Sequence, residues 1–265
     1  MPTVVELKQL ARQRGLTGYS KLRKTELEQL LGLSTASAAS ASAASAASAS
    51  SASEEPQVCL AKMGFFKKLT SHEGYINIFP NYRHANRKDG FGCASLSPMK
   101  LGIVEHGQSD LPAARNLENF WQQSKIFPDE TEEEFHKNRV AGYLDPIPHR
   151  HKQGRHGQKP TGWRWNDRDG TVHTLDWITS RQFYCNYYER LVAGNKELGK
   201  LKDMLASGLK LQICGYDAVP FGQLTPEDAY LSTKAPFGHE RVLYVMLTEK
   251  DDSQWPWRKH KTFDF

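Results

Sequence analysis

The sequence predicts an α+β, mainly helical protein in three parts. These are a small helix–loop–helix module over 1–33, a Ser/Ala linker over 34–57 and a larger domain over 58–265. Three observations carry this reading. Residues 34–53 are Ser and Ala apart from Thr35, with neither an apolar face nor charge to hold them, which describes a solvated tether. The stretches on either side show helical apolar spacing, opened by proline or closed by glycine. Short apolar runs such as 74–80 and 209–217 read instead as strands. The hydrophobic content is 38%, and an 11% aromatic share signals a real core in the larger domain.

Composition narrows the function classes. A net charge of +5 is mildly basic, compatible with nucleic acid without being evidence for it. Cys59, Cys93, Cys185 and Cys214 are scattered with no CxxC pair, so neither a disulfide framework nor a thiolate zinc site is expected, and a reducing compartment fits better. Residues 1–30 are charged throughout, unlike a signal peptide, and no run approaches 18 apolar residues. The expectation is an intracellular protein of nucleus or cytoplasm, not secreted, without a membrane partner.

Taken in order, Val4, Val5, Leu7, Leu10 and Ala11 recur at helical spacing, and Gly15 closes the run. A loop follows over 16–23, then a second helix from about Lys24 to Leu31. The cations Lys8, Arg12, Arg14, Lys21, Arg23 and Lys24 gather on the first helix and the loop. In the larger domain, 74–80 is a strand ended by Pro80, and 94–104 is a turn leading into a strand. Pro112 opens a central helix that reaches Lys125. Residues 129–139 form a helix with acidic residues first and basic ones last, as the helix dipole favours.

Residues 145–170 are poor in core residues and carry His149, Arg150, His151, Lys152, Arg155, His156 and Lys159, a loop that either faces phosphate or is simply solvated. No carboxylate or cysteine is spaced to complete a metal site with its His-x-His, so neither metal nor cofactor is expected. Trp163 and Trp165 flank Arg164 as an edge strand or a stacking surface, with at least one tryptophan in the core. Two helices fill 176–207, the first ending at Gly194 and the second running from Glu197 to Ser207-Gly208. Asp217 falls just past the strand at 209–217, where α/β architectures place ligand-contacting residues. Pro226 starts a short helix, 238–247 forms a last one, and the tail from 250 is polar with Trp255 and Trp257.

The central helix holds the most suggestive pattern. At about 100° per residue, Arg115, Glu118, Gln122 and Lys125 form one stripe beside Leu117, Phe120 and Trp121. Glu118 and Lys125 are two turns apart, too far for a simple helical ion pair. Both can nevertheless reach into one pocket. The alternative is a solvated face on an ordinary amphipathic helix.

Two resemblances add to this reading. The run Leu7-Lys8-Gln9-Leu10-Ala11, Arg14-Gly15-Leu16, 18–24 and Glu26-Leu27 resembles the SAP and Rho N-terminal type of helix–extended loop–helix module. That resemblance implies weak, sequence-tolerant binding of DNA or RNA through the cations named above. The larger domain resembles the NADAR superfamily in Leu96-Ser97-Pro98, the block from Glu118 to Lys125, Leu211-Gln212-Ile213 with Asp217, and Gly238-His239-Glu240-Arg241-Val242-Leu243. It departs from that pattern in lacking Trp-Gly after Asp217, in His239 where Asn is usual, and in the insertion at 145–175.

The NADAR resemblance implies cleavage of a C–N bond at ribose, with an ADP-ribose-like or nucleotide ligand. Lys125 would attack the anomeric carbon and form a Schiff base, and Glu118 would protonate the leaving base or activate water. Asp217 would orient a ribose hydroxyl, Trp121 would stack on the base, and Arg115, Gln122 and His239 would bind substrate. A nucleic-acid-binding tether favours an enzyme acting on modified DNA, ADP-ribosylated bases among them, over one acting on a small metabolite. The alternative class is a non-catalytic DNA- or RNA-binding or structural protein that uses the same pocket for phosphate.

Overall fold

Four short runs pair into one parallel sheet in the order β1–β7–β2–β3: β1 (Val58–Lys62), β7 (Lys210–Gly215), β2 (Tyr75–Phe79) and β3 (Phe91–Gly92). In this computed structural model the described residues are 55–64 and 69–264, with Thr3, Val4 and Glu6. The chain divides into two compact units, Met1–Ser53 and Glu54–Phe265. Lys8, Arg12, Arg14, Lys21, Arg23 and Lys24 lie outside the described residues, as do the Ser/Ala residues. Near the start of the first unit, the Thr3 N–H donates to Glu6 Oε2 (2.7 Å) and the Glu6 N–H to Thr3 Oγ1 (3.4 Å), a capping-box exchange. The expected linker stops short of 57: the Gln57 side chain donates to the Leu205 carbonyl at 2.6 Å, and its carbonyl accepts from Leu211 N–H at 2.9 Å.

The second unit is α+β, with eight α-helices and two small sheets among the described residues. β7 is buried from Leu211 to Gly215 between two parallel neighbours, and its one buried polar side chain, Gln212, accepts from the His72 N–H and donates to the Thr70 carbonyl. The second sheet is antiparallel, with β5 (Gly162–Asn166) between β4 (Lys125–Ile126) and β6 (Val172–Leu175). This corrects the edge-strand reading of Trp163 and Trp165: β5 is central and both rings are buried. The Trp163 indole N–H donates to the Trp121 carbonyl at 3.0 Å, which satisfies the polar end of a buried ring.

The helices are α1 (Leu117–Gln123), α2 (Glu132–Leu144), α3 (Lys152–Arg155), α4 (Trp177–Val192), α5 (Lys196–Ala206), α6 (Pro226–Leu231), α7 (His239–Thr248) and α8 (Pro256–Lys259). α4 is the central element, packed against α1, α6, α7, α8 and β5. Thr131 caps α2 in a capping box with Glu134, three glutamates fill its first turn, and no basic residue occupies its last turn, which lies beyond the expected end at 139. α5 stops as the sequence predicts, with Gly208 at φ 83°, a conformation that favours glycine.

Three expectations fail. The strand expected within 94–104 is a 3-10 turn at Ala94–Leu96 followed by a single bridge between Val104 and Ala114. α4 ends at Val192 rather than Gly194. The basic loop expected over 145–170 holds the helical turn α3, and in the polar tail Trp255 and Trp257 are buried, Trp257 donating its indole N–H to Glu189 at 2.8 Å. No helix among the described residues is long and apolar enough to cross a membrane.

Candidate functional site

The central helix is shorter than its periodicity suggested, and the difference shapes the site. Asn116 caps α1 by accepting the Asn119 N–H at 2.8 Å, so Pro112 and Arg115 lie before the helix. At the other end the Ser124 hydroxyl turns back to the Phe120 carbonyl (2.8 Å) and meets the Tyr143 hydroxyl (2.6 Å). The chain then enters β4, where Lys125 pairs with Trp163. Lys125 is thus a strand residue. Its Nζ donates to Gln122 Oε1 at 2.9 Å, and Gln122 Nε2 donates to Glu118 Oε1 at 2.9 Å. The glutamine amide relays between amine and carboxyl across the two turns that separate them. The ammonium also stands 5.4 Å from the Trp121 ring centre and 5.8 Å from that of Trp177.

These groups open into a cavity of about 780 Å³. Glu118, Trp121, Gln122 and Lys125 enter it from α1 and β4, and Trp177 and Tyr184 from α4. Asp217, two residues past the end of β7, and His239 and Glu240, the first residues of α7, form another wall. Arg83, Arg150 and Arg155 line it as well, the last two from the basic insertion. Volume and mixed lining suit a nucleotide-sized ligand with aromatic surface for a base and guanidinium groups for phosphate.

The cavity's electrostatics follow from crowding. Lys125 is partly buried, and protein atoms surround its amine. Desolvation lowers its pKa from 10.5 to about 8, with Glu118 pulling up, Arg150 pushing down and Asp217 pulling up. Desolvation raises the Glu118 carboxyl above the ordinary range, opposed by the Gln122 hydrogen bond and the Lys125 charge. Burial holds His239 neutral, its pKa lowered to about 4. Glu240 is buried, and desolvation raises its carboxyl to about 8. An amine whose pKa is lowered toward neutrality, beside carboxyls whose pKa values are raised, is an arrangement able to exchange protons during covalent chemistry.

Of the predicted site residues, the structure brings Glu118, Trp121, Gln122, Lys125, Asp217 and His239 to one cavity. It leaves Arg115 out: the residue precedes the helix cap, is exposed, and does not line the cavity. Arg150 holds the place that Arg115 was expected to fill. The signal for it was present in the cation-rich loop at 149–159. Glu240 gave no such signal, because an acid in the first turn of a helix reads as a partner of the helix dipole.

The insertion reaches the cavity because α1 fastens it there. Asn119, fully buried, donates from Nδ2 to the carbonyls of Asp145 (2.9 Å) and Ile147 (3.0 Å) and accepts the His149 N–H at 2.9 Å. His151 stacks on Phe127 at 4.5 Å and places Nε2 3.4 Å from Glu130 Oε2. On the other side, Arg181 donates to the carbonyls of Tyr230, Ser232 and Ala235, and Arg241 donates to those of Val219 and Pro236. These two arginines clamp the loop leading to Gly238. Among the described residues no group of three or more His, Cys, Asp or Glu side chains is placed to hold a metal ion.

Comparison of the chain with protein-family models, with curated proteins and with solved structures returns no match. The functional reading therefore rests on the residues and their arrangement.

Proposed function

We propose that the protein is an N-glycosidase-like hydrolase directed to nucleic acid, which cleaves a ribosyl C–N bond and removes ADP-ribose from DNA bases. The observation that carries this reading is the desolvated Lys125 amine, which lines a nucleotide-sized cavity and is joined through Gln122 to Glu118. With its pKa lowered to about 8, roughly a tenth of the amine is neutral at pH 7, enough to act as a nucleophile. The resemblance of the Glu118–Lys125 block to NADAR proteins points the same way.

In the proposed reaction the Lys125 nitrogen attacks the anomeric carbon. The C–N bond to the base breaks, and its electron pair leaves with the base, which takes a proton from a cavity acid. Ring opening gives a Schiff base between Lys125 and the ribosyl carbon, and water hydrolyses it. Glu118 supplies the leaving-group proton or activates that water. Asp217 orients a ribose hydroxyl, Trp121, Trp177 and Tyr184 offer stacking surface, and Arg150 and Arg155 take the phosphates. A module binding DNA or RNA through Lys8, Arg12, Arg14, Lys21, Arg23 and Lys24 raises the local concentration of substrate.

The test is release of ADP-ribose from an oligonucleotide bearing ADP-ribosylated guanine, which leaves unmodified guanine in the DNA. Lys125→Ala should lower the rate by at least on the order of 10³-fold, as removal of a nucleophile does. A full rate in that variant would sink the proposal. Arg83, Arg150 and Arg155 on the cavity wall also favour a second reading, a phosphate-binding protein without turnover. That reading predicts salt-sensitive binding and intact substrate.

A further inference from the structure

One carboxyl in the cavity is built differently from the rest. Glu240 is 2% exposed yet lines the cavity, at the N-terminus of a ten-residue helix whose cap, Gly238, offers no side-chain bond. Backbone N–H groups of Asp217 and of Glu240 itself stand close enough to its carboxyl to oppose the rise in its pKa, while Oε2 is buried with no hydrogen-bond partner. His239 Nδ1 lies 3.2 Å from Oε2 without forming a hydrogen bond, and His239 Nε2 is likewise buried and unpartnered. The backbone makes room for this carboxyl, since a Cβ at Gly215 would collide with Glu240 Oε1. Leaving a buried polar oxygen unsatisfied costs about 1 to 3 kcal/mol, so such an atom on a residue that lines a cavity points to a ligand.

We infer that Glu240 is the general acid of this site, donating a proton from Oε2 to the departing nucleobase, while Glu118 serves the attacking water. The inference rests on the glycosidase reading above. The charged and titratable groups around Glu240 agree with it. Asp217 disfavours a second negative charge, His239 is neutral, Tyr184 and Tyr188 hold their protons, and the carboxyl stays protonated up to about pH 8. A protonated carboxyl accepts on one oxygen and donates from the other, which matches a carboxyl with backbone N–H groups beside it and Oε2 unpartnered.

The proton balance closes. Attack by neutral Lys125 forms the N–C bond as the base leaves with the Glu240 proton. Hydrolysis of the resulting iminium leaves an ammonium on Lys125 and a carboxylate on Glu240. Transfer of that one proton restores both groups.

The experiment pairs two substrates. Free ADP-ribose has no base to expel, so borohydride trapping of its Lys125 adduct should not depend on Glu240. Release of ADP-ribose from ADP-ribosylated DNA, in which the base must leave the sugar, should. Glu240→Gln, nearly isosteric, should trap free ADP-ribose within about 3-fold of the wild type while losing on the order of 10² to 10⁴ in ADP-ribose release. Glu240→Asp should recover part of that loss. Unchanged ADP-ribose release in Glu240→Gln overturns the assignment and leaves the glycosidase reading intact. Loss of adduct and release together also overturns it, because Glu240 would then merely shape the pocket. A wild type that releases no ADP-ribose overturns the glycosidase reading, and this inference with it.

Discussion

Lys125 combines a cost and a capacity. Its charged form is penalised in the fold, since the folded pKa of about 8 lies below the 10.5 of a free amine. Between those values the unfolded chain binds the proton that the folded chain has lost, so this contribution to stability rises with pH from 8 to 10.5. Below pH 8 the penalty is constant. Lys125→Met should therefore stabilise the protein at pH 7 by on the order of 1 to 3 kcal/mol, a few degrees in Tm, while abolishing the reaction. The gain should shrink as pH rises above 8, and thermal melts at pH 7 and 10 would show it. A variant less stable than the wild type at pH 7 would contradict the account. The arginines give a second residue-level test. Arg150→Ala should weaken ADP-ribose binding by roughly 10- to 100-fold, the worth of a charged hydrogen bond, whereas Arg115→Ala should leave calorimetric affinity unchanged.

Residue chemistry was partly legible in the sequence. The 3.6-residue period placed Glu118 and Gln122 in one stripe with Trp121 beside it, and all three line the cavity. Lys125 reaches it by a different route, as the first residue of a strand that bends back beside the helix. Arg115 failed because the Asn116 cap starts the helix after it. Glu240 was hidden, since only the fold shows that its carboxyl is buried and its Oε2 unpartnered.

At the scale of elements, the basic insertion is held by one side chain. Asn119 satisfies three backbone groups of residues 145–149 from inside the core. Asn119→Ala would orphan them at a cost of about 2 to 4 kcal/mol. It should also loosen the wall that carries Arg150 and Arg155. KM for ADP-ribosylated substrate should then rise by more than kcat falls, which steady-state kinetics would check. An equal fall in kcat with unchanged KM would place the insertion away from the ligand. Element boundaries were the less legible layer. Helices announced themselves by caps and glycines, as in α5, α6 and α7. β3 and β4 are two residues long and carry no period to detect. The buried Trp163 and Trp165 were ambiguous because alternation marks a strand without showing how many neighbours it has.

At the scale of the whole molecule, the division after Ser53 separates a predicted nucleic-acid hook from the unit that holds the cavity. Removing residues 1–53 should leave reaction with free ADP-ribose unchanged and weaken binding to DNA. The dependence of log affinity on log salt should flatten at the same time, because each lost phosphate contact removes about 0.9 from the slope on duplex DNA. Binding titrations at two salt concentrations would measure both effects. Unaltered DNA affinity would place the nucleic-acid surface on the second unit, with the arginines of the cavity wall as the first candidates.

The central claim is that Lys125 is the nucleophile of a ribosyl-cleaving site, and borohydride trapping tests it most directly. The full chain would be incubated with ADP-ribose, reduced, digested and mapped by mass spectrometry. The account predicts one stoichiometric adduct on Lys125, rising with pH toward 8 and absent from Lys125→Met. No adduct, or adducts scattered over exposed lysines with Lys125 unmodified, would contradict it.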